Sequence, residues 1–173
     1  MSFEQNNPGF HIRPASEADV PVVLSFIKKL AAYEKLSHEA VATEELLRET
    51  LFGAKRTAEV AIGYLEERPV GFVLFFHNYS TFLGRPGIYI EDLFVEEDFR
   101  GRGFGRALFL YVARLAKERR CGRLEWSVLD WNEPAIGFYK NLGAVPMSDW
   151  TVFRVTGDSL DKLTGARKPE EEI

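Results

Sequence analysis

Residues 94–109, "FVEEDFRGRGFGRALF", run an apolar strand-like segment into three alternating glycines with three arginines, and then into a helical apolar stripe. A fold that contains this stretch must carry a strand up to a tight, positively charged loop and leave it through a helix N-terminus. Exposed backbone N–H groups and the helix dipole make such a junction an anion site. Three readings are open at this point: a plain connector, an arginine–glycine segment for nucleic acid, or a loop that wraps a phosphate.

The balance of charge bears on that choice. Net charge is −4, with 46% hydrophobic and 28% charged residues among 173. This is a globular composition without a general affinity for polyanions, so the arginines are local chemistry. The single cysteine, Cys121, excludes an internal disulfide framework and suits a reducing cytoplasm, where the chain is expected to reside. No apolar run approaches the roughly 18 residues of a membrane span, and "MSFEQNNPGF" has no basic region followed by an apolar one. Nucleic-acid and membrane partners are therefore not expected. "HEAVA" at 38–42 is one histidine short of a zinc motif, and no metal is expected.

Periodicity supplies the elements. "FHIRPAS" reads as a first strand. Ser16 caps a helix to about Tyr33, with Asp19 at its third position and Val20, Val23, Leu24, Ile27, Leu30 and Ala31 at helical spacing. Thr43 caps "EELLRETLF". "AEVAIGYLE" and "PVGFVLFFHNYS" form a strand pair through "ERP", and "GIYIEDLFVEE" is a third strand entering the glycine loop. A helix spans Gly103 to about Arg119, with Leu108, Val112, Leu115 and Ala116 as its stripe. "GRLEWSVLD" is a strand, Asn132 caps "EPAIGFYKNL", Gly143 closes that helix, and "WTVFRV" is a last strand. The order predicts one α/β domain over 1–173 with flexible ends at 1–9 and 166–173, built on a mixed sheet covered on both faces.

The loop lacks the lysine and hydroxyl of a Walker A motif, and it sits mid-chain with arginine at the last position of a dinucleotide fingerprint. What matches is R-x-x-G-x-G, Arg100 to Gly105, directly after a strand. With this motif, and with "WSVLDWNEPAIGFYKNLGA" downstream, the chain resembles the GNAT superfamily of acetyl-CoA-dependent N-acetyltransferases. "IRPASEADV", "LAAYEKL", "NYST" and "YIEDLFV" are similar to its diamine branch, which includes spermidine/spermine and thialysine acetylating enzymes. The resemblance covers about Ile12 to Phe153. It implies the GNAT fold, a mixed and mostly antiparallel twisted sheet with helices on both faces, and acetyl-CoA as cosubstrate. It further implies a primary amine on a small cationic acceptor (a polyamine, diamine or thialysine/lysine-like molecule) and a homodimer formed through the C-terminal part; direct attack is expected because no cysteine signature suggests an acyl-enzyme. Other acceptors (an amino acid, an aminoglycoside, a protein N-terminus) and a CoA-binding module without turnover are the rival readings.

Carried over residue by residue, the resemblance places the pantetheine arm along Leu93, Phe94 and Val95. The pyrophosphate falls on the loop of Arg100, Gly101, Arg102, Gly103, Phe104, Gly105 and Arg106, and Asn132, Glu133, Pro134 and Ala135 flank the cofactor. Tyr139 lies on the face of Ala135, Phe138 and Leu142, where spacing alone reads as packed core. The resemblance makes it a cofactor contact and the acid that protonates the departing thiolate. Glu91 and Asp92 are adjacent, so a regular strand sends them to opposite faces. The resemblance favours Glu91 as the group that binds the substrate cation and, through water, helps remove the amine proton, with Asp92 behind it. Ser80, Thr81, Tyr33, Glu34 and Trp126 are further acceptor contacts on the same basis, although Ser80 and Thr81 also read as turn residues and Tyr33 and Glu34 as helix surface. Between Gly143 and Trp150 the chain reads "GAVPMSDW", shorter than the acidic approach usual in the branch, and no substrate role carries over to Asp149.

Overall fold

A computed structural model describes residues 8–165. The chain divides into two compact units, one up to Ser127 and one from Val128 onward. The expected flexible ends lie outside the described residues, apart from Pro8 and Gly9, which turn into the first strand.

The first unit is a five-stranded sheet in the order β1 (Phe10–Pro14), β2 (Glu59–Leu65), β3 (Arg68–Ser80), β4 (Arg85–Val95) and β5 (Leu124–Trp126). The first four strands pair antiparallel and β5 pairs parallel to β4. Short β2–β3 and β3–β4 connections make a meander, so the residue pattern reads as alternating hairpins. The helices are α1 (Val20–Tyr33), the single-turn α2 (Glu44–Leu47), which continues as a π turn over Arg48–Phe52, and α3 (Phe104–Glu118). One face of the sheet packs Val60, Ile62, Phe72 and Phe94 against Val20, Val23 and Phe26 of α1, with the Phe26 and Phe72 rings stacked at 5.5 Å. Another cluster joins Phe104 and Ala107 of α3 to Phe10, Val70 and Phe99. Fully burying each such aromatic side chain contributes about 1.5–3 kcal/mol. This is the expected mixed, mostly antiparallel sheet with helices on both faces.

The caps follow the sequence closely. Ser16 and Asp19 form a capping box, although the turn they open is 3₁₀ before α1 begins at Val20. Asp19 is buried, and its carboxylate receives two bonds of 2.8 Å from the Arg13 guanidinium, others from the Ser16 N–H and hydroxyl, and one from the Tyr64 hydroxyl. The Thr43 hydroxyl accepts from the Leu46 N–H and starts α2.

The second unit holds α4 (Glu133–Asn141) and α5 (Gly157–Thr164). Asn132 caps α4 by accepting from the Ala135 N–H. At the other end Gly143, at φ +87°, donates to Lys140 O while Ala144 donates to Tyr139 O, the paired bonds of a glycine-closed helix. Two expectations are corrected here. "WTVFRV" is not a strand: residues 151–156 have no regular structure, Val152 and Phe153 stand exposed, and an unforeseen helix, α5, follows. The β-branched and aromatic residues favour a strand, but a strand also needs a partner for its backbone groups, and none pairs with it among the described residues. "GRLEWSVLD" contributes only Leu124–Trp126 to the sheet.

Candidate active site

The β3–β4 register steps at one place: Leu74 lies opposite Asp92 and Phe75 opposite Ile90, which leaves Glu91 as an extra residue on β4. Such a bulge bends its strand and re-aims the side chains beside it. It also ends the strict alternation expected of the Glu91–Asp92 pair. Glu91 is exposed, whereas Asp92 is half-buried on the row of Leu74, which packs with the α1 core. Burial, reinforced by the nearby charges of Glu91 and Glu34, pushes the Asp92 carboxyl up to about 6. Glu34 caps the C-terminus of α1, and partial burial raises it too. Three carboxylates therefore share this end of the sheet with no cation among the charges that move Asp92, an arrangement that favours a bound ammonium ion.

The bulge is also where β5 stops. Its pairing with β4 runs from Ile88–Leu124 to Ile90–Trp126. Among the described residues, no strand pairs with the β5-side edge of Glu91, Asp92, Leu93, Phe94 and Val95. A strand edge left open in this way can pair with an extended ligand.

Beyond Val95 a 3₁₀ turn, Glu97–Phe99, leads into the glycine loop. Gly101 and Gly103 have φ of +75° and +84°, a region closed to most other residues, and a Cβ on Gly101 would meet nothing within 4 Å. Gly103 is the N-cap of α3 and supplies no side-chain cap. The first-turn N–H groups of Phe104, Gly105 and Arg106 are thus left for an outside acceptor. An open, left-handed loop at an uncapped fifteen-residue helix suits a pyrophosphate. The arginines are less free than the motif implied. The Arg100 Nε donates to Val95 O at 3.0 Å, with its guanidinium 4.4 Å over the Tyr33 ring, and Arg102 donates to Asp98 O. Arg106 is exposed.

The remaining expected residues are placed as follows. Tyr33 and Glu34 reach the same end of the sheet, through Arg100 and Asp92 respectively. Trp126 is half-buried, edge-on to Phe109 at 5.1 Å. Ser80 and Thr81 are not brought to the bulge. Ser80 is buried, its hydroxyl accepts from Leu83 N–H in the β3–β4 turn, and it lies six β3 residues from Leu74, roughly 20 Å along the strand. In the second unit, Asn132 is buried at its cap and Glu133, Pro134 and Ala135 form the first turn of α4. Tyr139 is half-buried with its ring edge-on to Phe138 at 5.1 Å. Sequence reasoning ranked Glu91 above Asp92, and nothing in the letters announced the bulge that separates their environments.

Comparison with known proteins bears on the family and the fold. Residues 27–144 match the model of the acetyltransferase (GNAT) family. A thialysine N-epsilon-acetyltransferase of Bos taurus is 36% identical, over 89% of this chain and 96% of its own length. An L-ornithine N5-acetyltransferase of Arabidopsis thaliana is 34% identical, over 88% of this chain and 86% of its own. Among solved structures, an integron cassette protein of V. cholerae superposes with a TM-score of 0.77 at 24% identity, covering 90% of this chain and 98% of that one.

Proposed function

This chain belongs to the GNAT acetyltransferase family and is an N-acetyltransferase; from that premise we propose that it acetylates a primary amine on a small cationic acceptor of the diamine, polyamine or thialysine/lysine-like class, by direct attack on acetyl-CoA. The observation that carries the acceptor class is the gathering of Glu34, Glu91 and Asp92 at the β4 bulge, beside an open strand edge and an uncapped helix. Acetyl-CoA supplies the activated acetyl thioester. Gly101 to Arg106 hold its pyrophosphate, Leu93 to Val95 its pantetheine arm, and Asn132 to Ala135 flank it.

The acceptor amine titrates near about 10 and must lose a proton to attack. Glu91 binds the cation, and Asp92, with its carboxyl near 6, is ionised at neutral pH yet basic enough to take that proton directly or through water. Tyr139, by its place in the family motif, donates its phenolic proton to the leaving thiolate. The enzyme works in the cytoplasm as a homodimer.

A panel of amines assayed for thiol release tests the reading. Diamines, polyamines, ornithine and thialysine should outcompete neutral monoamines by at least about tenfold in kcat/KM. Equal rates on neutral amines would defeat the acceptor class, and no thiol release on any amine would defeat the whole reading. Tyr139→Phe should lower kcat by on the order of 10²-fold in a folded protein, and wild-type turnover in that variant would return Tyr139 to a packing role.

A further inference from the structure

The pleat fixes which side chains line the sheet between the bulge and β5. Phe75, Ile88 and Ile90 are buried, and Trp126, next to Glu125, meets Phe109 of α3. Their neighbours in sequence therefore point to the opposite face, the one that carries Leu74 and Asp92. Register sets Phe76, Tyr89 and Glu125 in one row there, and Asn78 and Gly87 in the next, with Arg123 two residues before Glu125 on the same side. An Arg123 nitrogen lies 2.8 Å from a Glu125 carboxylate oxygen, Asn78 donates to that oxygen at 2.7 Å, and Arg123 also donates to Tyr79 O. Gly87 makes room for this cluster: a Cβ there would fall 2.3 Å from the Asn78 Oδ1 and 2.9 Å from the Arg123 Cγ. The strand is kept bare where the two side chains meet.

Resting on the acceptor reading above, we propose that Arg123, Glu125 and Asn78 form a subsite for the α-amino-acid headgroup of the acceptor, with Arg123 receiving its carboxylate and Glu125 its α-ammonium. A guanidinium fork and a carboxylate side by side match the two charges of a zwitterion. The carboxylates at the bulge hold an amine and repel a carboxylate, so an amino-acid acceptor needs a cation farther along. The Glu125 row lies two β3 residues, Leu74 to Phe76, from the Asp92 row, roughly 7 Å along the strand. The reacting amine of an ornithine- or thialysine-like molecule stands about 5–6 Å from its α-carbon when extended. An acceptor that reaches the bulge with its amine thus brings its headgroup to Glu125 and Arg123.

The test is a selectivity ratio. Ornithine and putrescine share the reacting amine and differ by the carboxylate, so Arg123→Gln should lower the ornithine-to-putrescine ratio of kcat/KM by on the order of tenfold or more, mainly through KM. Arg123→Lys, which keeps the charge, should restore part of it. On the wild type, masking the carboxylate as ornithine methyl ester should raise KM by a similar factor, a measurement that needs no variant to fold. A ratio unchanged within about twofold in folded variants, or an ester as good as ornithine, overturns the subsite while the acetyltransferase reading stands. A wild type idle on ornithine, putrescine, spermidine and thialysine alike overturns the acceptor reading, and the subsite with it.

Discussion

Helix α1 has an aspartate near each end, and the two sit in opposite environments. At its start, Asp19 is buried among donors: the Arg13 guanidinium, the Ser16 N–H and hydroxyl and the Tyr64 hydroxyl. These bonds, Arg13 foremost, hold its carboxyl far below the ordinary range. Past its end, Asp92 is half-buried beside Glu91 and Glu34, and burial with two like charges pushes its carboxyl up to about 6. One carboxylate is stabilised in its charged form and ties β1 and β2 to α1. The other is held in a state the folded protein would relieve if it could. Strain of that kind is expected where a site must bind a cation and move a proton.

The largest effect should come from breaking the satisfied end. Asp19→Ala leaves Arg13, the Tyr64 hydroxyl and the Ser16 N–H without their shared acceptor. Because Arg13 is 42% exposed and can be rehydrated, the loss should fall at the low end for a broken buried pair, about 3 kcal/mol. Urea unfolding measures it, and turnover per folded molecule should be retained. A loss below about 1 kcal/mol would mean that the network behaves as a surface ion pair. In the wild type this contribution has the sign of a depressed carboxyl: it is present above pH ~4 and lost as the pH falls below that.

The next effect falls on rate. Asp92→Asn keeps the shape and removes the proton acceptor, so kcat should drop by about 10²-fold, while Glu91→Gln should act mainly by raising KM for cationic amines. The opposite assignment, a large kcat loss from Glu91→Gln with Asp92→Asn near wild type, would return the base to Glu91. Single-turnover measurements across pH 5–9 separate the two.

Why the sequence favoured Glu91 is instructive. Periodicity located β2, β3, β4 and α3, and side-chain chemistry located the caps at Ser16, Thr43 and Asn132, because each of these is decided within a few residues. The bulge is decided by the pairing of β3 with β4, and one inserted residue changes which carboxylate is desolvated without altering any local pattern. The same limit explains residues 150–155. The β-branched and aromatic letters of "WTVFRV" favour a strand, yet strand formation depends on a partner that local letters do not specify. Glycines were legible in the loop, where φ demands them, and not at Gly87, whose reason is the meeting of Asn78 and Arg123 over its backbone.

The smallest effect is the most discriminating, because it has the opposite sign to that at Asp19. With a carboxyl near 6 in the folded protein and near about 4 when unfolded, Asp92 binds its proton more tightly in the native state. Native stability therefore falls as the pH rises from about 4 through 6, and the full cost is present above that. Asp92→Asn removes the titration, so the variant should exceed the wild type by about 2 kcal/mol at pH 8, with the difference shrinking to near zero at pH 4. Urea unfolding of both proteins at the two pH values reads it directly. A variant less stable than the wild type at pH 8 would mean that the carboxylate at Asp92 is satisfied as Asp19 is, and the contrast between the two ends of α1 would be lost.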